Sequence, residues 1–259
     1  MNKSKVSMRK PKSKRAIKRE EHDAVLFDLD GVITNTAAVH AACWKKMFDE
    51  YLQKRATQNG EAFRPFDLVA DYRLYVDGKP RFDGVRDFLA SRGIRLSEGS
   101  SRDSARAETV RGLGKRKNAL VSEIIERKGV EAYAGSVQLI HQLRRNGFKV
   151  AVVTSSENCT AVLRSTKLDG VFDARIDGAM IETQHLAGKP APDTFLMAAK
   201  LLGVQPKRTV VIEDAISGIQ AAVNGRFGFV IGVARRDNVE ELRQQGADLV
   251  VTDLAELVE

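Results

Sequence analysis

Polar side chains follow three apolar, β-branched runs of the chain, and their types suit phosphate and metal chemistry. The run ending at Phe27 is followed by Asp28 and Asp30, the run ending at Val153 by Thr154-Ser155-Ser156, and the run ending at Ile212 by Glu213-Asp214. If the three runs are parallel strands of one sheet, these side chains meet at its carboxyl edge, where open α/β sheets bind ligands. Carboxylates gathered there repel one another unless a cation neutralises them, and oxygen donors suit Mg²⁺.

The elements that must position these residues follow from the hydrophobic pattern. Apolar runs alternate with segments whose Ala, Leu and Ile residues recur every three or four positions, which predicts a Rossmann-like parallel sheet with helices on both faces. The predicted strands are Ala24–Phe27, Lys149–Val153, Thr209–Ile212, Phe229–Gly232 and Leu249–Val251, and the predicted helices between them are Ser136–Asn146, Cys159–Ser165, Thr194–Leu202, Ala215–Val223 and Val239–Gln245.

A long segment after the first strand has a different pattern. It contains helical periodicity over Thr36–Arg55, Val85–Ser91 and Lys117–Arg127 but no strong β-branched run. We therefore predict an α/β core domain formed by residues 22–37 and 132–259, and an inserted all-helical cap domain formed by residues 38–131.

The positive charge of the chain is concentrated at its amino terminus. The formal net charge is +8, yet residues 1–19 hold nine Lys or Arg residues and no Asp or Glu, which leaves 33 basic and 34 acidic residues elsewhere. This Lys- and Ser-rich stretch lacks apolar periodicity, so residues 1–21 are predicted to be a disordered basic tail. Nucleic acid is expected to bind weakly, if at all, and then through this tail.

Composition excludes several classes of protein. With 43% hydrophobic and 29% charged residues, and apolar runs too short to span a bilayer, the chain is expected to be a non-membrane protein. Two cysteines, Cys43 and Cys159, cannot form a multi-bridge framework, so they are expected to be small buried side chains. The expected location is the cytoplasm, and the expected state is a monomer.

Four motifs together resemble those of the haloacid dehalogenase superfamily of phosphotransferases. They are Phe27-Asp28-Leu29-Asp30-Gly31, Thr154-Ser155-Ser156, Gly188-Lys189-Pro190, and Glu213-Asp214 followed by Ser217-Gly218. A lone pair of aspartates at a strand end is weak evidence, but four motifs in order and in the right structural setting are specific. The resemblance covers nearly the whole chain from Ala24 onward.

This resemblance implies roles for the core residues. Asp28 would be the nucleophile that forms an aspartyl phosphate, and Asp30 the general acid and base. Thr154 and Lys189 would bind the transferring phosphoryl group, although Thr154 could instead be a helix cap and Lys189 an exposed turn residue. The implied metal is Mg²⁺, held by the Asp28 carboxylate, the Asp30 carbonyl and Asp214, with Glu213 nearby.

The helical insertion resembles the cap of the β-phosphoglucomutase-like subgroup. The resemblance implies that His40 assists Asp30 and that a second, non-reacting phosphate is held by an arginine of the cap. On sequence alone His40 could simply be packed in the protein, and the basic run Lys115–Lys117 could be a solvated helix start. The substrate-binding residues implied are Thr36, His40, Gly78, Arg81, Ser155, Ser156 and Asn158.

Two departures from the subgroup pattern bear on substrate choice, and a third concerns Asn35. Glu157 and Asp77 stand where the pattern of this subgroup has lysines, so two cations become two anions. The cap is also longer, around residues 54–65 and 95–108. Asn35 replaces a common aspartate, which should matter less because it lies outside the inner shell of the site.

The sequence thus predicts an Mg²⁺-dependent phosphosugar mutase that interconverts β-hexose 1-phosphate and hexose 6-phosphate. A sugar-phosphate phosphatase with the same residues, in which water accepts the phosphoryl group, is the alternative. A non-enzymatic nucleic-acid binder with an inert fold is the third reading, and the four intact motifs argue against it. In the first two cases the partner is a small phosphorylated sugar.

Overall fold

The computed structural model describes residues 17–235 and 237–259. A parallel six-stranded sheet forms its centre, in the order β3-β2-β1-β4-β5-β6. The strands are β1 (Ala24–Phe27), β2 (Lys149–Val153), β3 (Ala174–Ile176), β4 (Thr209–Glu213), β5 (Phe229–Val233) and β6 (Leu249–Val251). The predicted parallel sheet is confirmed. β3 was missed because this edge strand has only three residues, one of them the exposed Arg175.

Helices flank the sheet and fill the segment between β1 and β2. Around the sheet lie α4 (Ala134–Arg145), α5 (Cys159–Ser165), α6 (Gly178–Thr183), α7 (Asp193–Leu202), α8 (Ile216–Asn224) and α9 (Val239–Gln244). Between β1 and β2 lie α1 (Ala37–Asn59), a π-helical turn (Tyr72–Val76), α2 (Arg81–Ser91) and α3 (Val110–Lys128). Short 3₁₀ turns occupy Pro206–Arg208 and Leu254–Leu257.

The sheet is buried on both faces, which explains why its strands are continuous apolar runs rather than alternating ones. In β1, Val25 and Phe27 pack into the hydrophobic cluster on one face. Ala24 and Leu26 pack into the cluster on the other face. Because successive side chains of a strand point to opposite faces, the four residues of β1 contribute to both halves of the core.

A third hydrophobic cluster lies within the segment between β1 and β2. Its centre is a group of aromatic rings: Phe48 stacks on Trp44 at 5.2 Å between centroids, and Phe88 lies 4.2 Å from Phe48. Trp44 and Phe48 are four residues apart on α1, so they share one helix face. This segment therefore has an apolar core of its own.

The two ends of the inserted segment lie side by side. Thr34 forms an antiparallel bridge with Ala132. The Asn35 amide donates to the Glu131 carbonyl at 3.0 Å, and the Tyr133 amide donates to the Ile33 carbonyl at 2.9 Å. The inserted segment thus begins and ends at adjacent points of the chain, between β1 and α4.

The predicted basic tail lies mostly outside the described residues. Residues 17–21, which the sequence assigned to it, contact the core: Ile17 packs against the first hydrophobic cluster, and the Arg19 guanidinium lies 5.2 Å from the Phe148 ring centroid. Of the residues described, none belongs to a helix both long and apolar enough to cross a membrane.

The native protein should be unreactive toward a thiol reagent such as Ellman's reagent. Cys43 and Cys159 are free and buried, and burial raises the pKa of Cys159 to about 12. Since the thiolate is the reactive form, neither group is expected to react at neutral pH. Both cysteines should react after denaturation in urea. Rapid labelling of one thiol in the folded protein would contradict this packing.

Candidate active site

The three predicted motif strands are neighbours, with β1 between β2 and β4. Asp28 therefore lies between Thr154, which follows β2, and Glu213, which ends β4. The ladder continues past the strand ends, because the Asp28 amide donates to the Ile212 carbonyl at 3.0 Å. Asp28, Thr154 and Glu213 are all buried. The structure thus places the polar groups of the three motifs at one edge of the sheet.

Lys189 lies between two of the carboxylates. Its Nζ donates to Asp28 Oδ1 and to Glu213 Oε1, each at 2.5 Å, and the residue is only 2% exposed. Burial opposes its charge, but the two carboxylates outweigh burial and hold the pKa of Lys189 above its ordinary value. Lys189 is therefore not the exposed turn lysine that the sequence left open.

One lysine does not neutralise this group of acids. Burial raises the pKa of Asp28 well above its ordinary value, against the attraction of Lys189 and with the repulsion of Glu213 and Asp30. Burial also raises the pKa of Asp214, together with repulsion from Asp77 and Glu213. Both shifts disfavour the charged carboxylates, and a bound cation would favour their charged forms again.

The backbone of Gly31 packs closely against one of these acids. Gly31 has a φ of +91°, and a Cβ there would lie 2.0 Å from Asp214 Oδ2. Only glycine combines this backbone conformation with such a close approach. Part of the first motif thus serves to bring the Asp214 carboxylate to the end of β1.

Asp30 has its own set of partners. Its Oδ1 accepts a hydrogen bond from Thr36 Oγ1 and lies 3.5 Å from His40 Nε2. Its Oδ2 accepts from Thr154 Oγ1 at 3.3 Å. The Asp30 side chain is therefore held by α1 and by the end of β2, whereas Lys189 holds Asp28.

His40 connects Asp30 to a buried lysine that was absent from the predicted site residues. Lys117 Nζ lies 2.8 Å from His40 Nδ1, and Lys117 is 5% exposed. Burial lowers the pKa of His40 to about 4 and that of Lys117 to about 8. A neutral imidazole can accept from Lys117 at Nδ1 and donate to Asp30 at Nε2.

The basic run Lys115–Lys117 divides its members between two faces of α3. Lys115 Nζ donates to the Ser101 and Asp103 carbonyls, each at 2.6 Å, and thereby fastens the loop before α3. Lys117 instead faces the cleft and lies over the Trp44 ring at 4.9 Å. The basic run in the sequence could have drawn attention to Lys117, but it did not show which of its three cations is buried.

The loop before α2 is fastened to the carboxyl edge of the sheet. The Gly78 carbonyl accepts from Ser155 Oγ at 2.9 Å, and the Asp77 carbonyl accepts from Ser217 Oγ at 2.7 Å. Gly78 has a φ of +70°, and a Cβ there would lie 2.4 Å from Ser217 Oγ. Glycine is required here because the loop is in left-handed conformation and touches the core.

One cleft joins these groups. It is lined by Asp28, Asp30, His40, Gly78, Arg81, Thr154, Ser155, Ser156, Glu213 and Asp214 of the predicted site, and also by Lys79, Lys117, Asn118 and Glu157. Thr36 is not among the lining residues, but its hydroxyl donates to Asp30, which is. Asn158 is not among the lining residues: its side-chain amide joins Asn118 Oδ1 and Ser122 Oγ, each at 3.1 Å.

The described residues offer no all-side-chain metal cage. No group of three or more His, Cys, Asp or Glu side chains in residues 17–235 and 237–259 is arranged to hold a metal ion. This does not conflict with the implied ligand set, which uses two carboxylates and the Asp30 carbonyl. Mg²⁺ commonly binds through one or two carboxylates with water and phosphate as the other ligands, so these oxygen donors fit it.

Comparison with known proteins agrees with this geometry. The model of the haloacid dehalogenase-like hydrolase family matches residues 22–225. A β-phosphoglucomutase of Mycobacterium bovis is 50% identical over 242 residues, 92% of each chain, and one of Bacillus subtilis is 30% identical over 234 residues, 90% of this chain and 91% of that one. The crystal structure of a β-phosphoglucomutase from Clostridium difficile superposes with a TM-score of 0.69 at 27% identity, over 91% of this chain and 93% of that one. The chain belongs to the haloacid dehalogenase-like hydrolase family.

Proposed function

We propose that this enzyme is an Mg²⁺-dependent phosphosugar mutase that interconverts β-hexose 1-phosphate and hexose 6-phosphate. The observation that carries the proposal is the 50% identity, over 92% of both chains, to a protein described as a β-phosphoglucomutase. The cleft supports it, because nucleophile, acid and cap cation line one space. The domain division made from the sequence, with residues 38–131 as the cap, belongs to the same proposal.

The reaction would use an aspartyl phosphate at Asp28. In the first half, the phosphoryl group passes from Asp28 to O6 of hexose 1-phosphate, and Asp30 accepts the O6 proton. The bisphosphate then turns end for end. In the second half, the Asp28 carboxylate takes the C1 phosphoryl group, Asp30 returns the proton to O1, and hexose 6-phosphate leaves.

Other residues of the chain would hold the reacting groups. Lys189 and Thr154 would bind the transferring phosphoryl oxygens, and His40 would orient Asp30 and help its proton transfer. Thr36, Gly78, Ser155, Ser156 and Asn158 would shape the sugar-phosphate site. Asp28, the Asp30 carbonyl and Asp214 would hold Mg²⁺, with Glu213 nearby. The bound ion would supply charge neutralisation at the phosphoryl group.

A product assay tests the proposal. The enzyme is incubated with β-glucose 1-phosphate, Mg²⁺ and a trace of glucose 1,6-bisphosphate, and both glucose 6-phosphate and inorganic phosphate are measured. Glucose 6-phosphate, lost on addition of EDTA, is the expected product. Stoichiometric inorganic phosphate would instead identify a phosphatase, the second candidate, which the hydrolase description of the matching family favours.

Replacing Arg81 by alanine should separate the two reactions. A mutase must hold the non-reacting phosphate, and the loss of one charge-assisted hydrogen bond costs about 1.5–3 kcal/mol. We expect isomerisation to fall at least about tenfold. Hydrolysis of a small ester such as p-nitrophenyl phosphate, which needs only the core residues, should change little. Parallel loss of both activities, or unchanged isomerisation, would remove Arg81 from the phosphate-anchoring role.

A further inference from the structure

The proposed anchor for the second phosphate is already paired with an anion. Arg81 is the first residue of α2, and its Nη2 donates to Oε1 of Glu157, 76 positions later in the loop after β2. The side chains are 15% and 30% exposed, so the pair lies at the inner part of the cleft rather than on open surface. Because Nη2 is already bonded to Glu157, Arg81 cannot use all of its guanidinium donors to bind another anion.

The guanidinium also has hydrogen-bonding capacity that its surroundings leave unused. Arg81 Nε is buried and finds no hydrogen-bond partner in residues 17–235 and 237–259. The group lies 4.8 Å from the Phe82 ring centroid, which fixes it from one side. Buried donors are normally satisfied, and an arginine fork binds phosphate oxygens through two parallel bonds. The orphaned Nε therefore points to a further anionic ligand.

Two other arginine–glutamate ion pairs also join the inserted segment to the rest of the chain, and they serve as a comparison for Arg81 and Glu157. Arg73 pairs with Glu241, and Arg111 Nη1 lies 2.7 Å from Glu182 Oε1. In all three pairs the arginine lies between β1 and β2 and the glutamate lies after β2. Of the three, only Arg81–Glu157 lines the cleft that contains Asp28 and Asp30. Of the three glutamates, only Glu157 lies where a bound ligand would compete with it for its arginine.

The position of Glu157 strengthens the competition. It follows Ser156, which lines the cleft, at a place where the subgroup pattern has a cation. A Cβ on Gly178 would lie 3.0 Å from Glu157 Cγ, so the stem of the glutamate is closely packed. A phosphate approaching Arg81 therefore meets a carboxylate rather than a second cation.

We propose that Glu157 is a specificity-determining residue that acts as an internal counter-anion for Arg81. Its carboxylate holds the guanidinium while no second phosphate is bound, and the phosphate of a sugar bisphosphate must displace it. This weakens binding of bisphosphates relative to esters whose far end is uncharged. The inference rests on the proposed function, since only a mutase must bind a second phosphate.

Glu157→Gln tests this inference, with Glu182→Gln as the matched control. Glu182 also pairs with an arginine that lies over Phe82, but it does not line the cleft. Each change is made in an Asp28→Asn background so that glucose 1,6-bisphosphate is bound without turnover, and Kd is measured by titration calorimetry with Mg²⁺. Phenyl phosphate, which has no charged far end, is titrated in parallel.

Glu157→Gln should lower the Kd of glucose 1,6-bisphosphate about tenfold, as expected for release of one partly exposed charge-assisted hydrogen bond. Its effect on phenyl phosphate should be under about twofold, and Glu182→Gln should change neither Kd. An unchanged or higher bisphosphate Kd in Glu157→Gln would overturn the inference. So would an equal gain for both ligands, or an equal gain in Glu182→Gln.

The proposed function fails separately. It is tested by the product assay on the unsubstituted protein, and the outcome of that assay does not depend on whether Glu157 competes for Arg81. If that protein forms glucose 6-phosphate while Glu157→Gln binds the bisphosphate no more tightly than the Asp28→Asn background does, the mutase stands and the counter-anion inference falls.

Discussion

Asp28→Asn should reduce turnover by more than a hundredfold. An amide oxygen cannot form the acyl phosphate, and loss of a covalent catalyst usually costs far more than two orders of magnitude. Folding should survive, because the change is nearly isosteric and removes one of several mutually repelling buried acids, while Lys189 keeps its bond to Glu213. Initial rates of product formation and the urea midpoint of unfolding measure the two effects.

Asp23→Asn is the matched control. Asp23 precedes β1 at its other end and pairs with Arg208 at 2.7 Å, away from the cleft. This variant should retain nearly full turnover. If Asp28→Asn kept more than about a hundredth of the normal rate, Asp28 would not be the nucleophile.

Lys189→Met should lower the free energy of unfolding by about 3–5 kcal/mol, the usual cost of breaking a buried ion pair by removing one partner. Methionine is close to lysine in length, but it leaves Asp28 and Glu213 buried without the cation that now lies 2.5 Å from each. Urea denaturation without divalent metal measures the change. Activity should also be lost, since the phosphoryl group loses a cation.

Two comparisons isolate the cause. Lys200→Met makes the same substitution on the exposed side of α7 and should have little effect on stability. The double variant Asp28→Asn with Lys189→Met should be more stable than Lys189→Met alone, because one of the two stranded charges is gone. A Lys189→Met protein as stable as the original would show that the lysine does not neutralise the carboxylates.

The sheet could be predicted almost to the residue where its strands are buried on both faces. β1 and β2 were predicted with their observed bounds, because continuous apolar runs favour central parallel strands. The helix α3 was predicted to begin at Lys117 but begins at Val110. Gly112 and Gly114 weaken the helical pattern, yet their lack of a side chain permits close packing against Ala107 and Phe82.

The residues of the candidate site also differ in how far the sequence could predict their positions. Residues at strand ends, such as Asp28 and Glu213, could be placed because strand order decides their neighbours. The contact of Lys117 with His40 depends on how α3 packs against α1, and that of Arg81 with Glu157 on how α2 faces the loop after β2. No local pattern encodes either. Tertiary packing between distant segments had to supply them.

The bridge between Thr34 and Ala132 has an evolutionary consequence. Because the inserted segment begins and ends at adjacent residues, and because it contains its own aromatic cluster, its length and sequence can change without shifting the register of β1 against β2. Recombination or insertion between these two points therefore alters recognition while the carboxylates and Lys189 stay in place. A lineage can acquire new substrates by exchanging one module and keep the inherited chemistry.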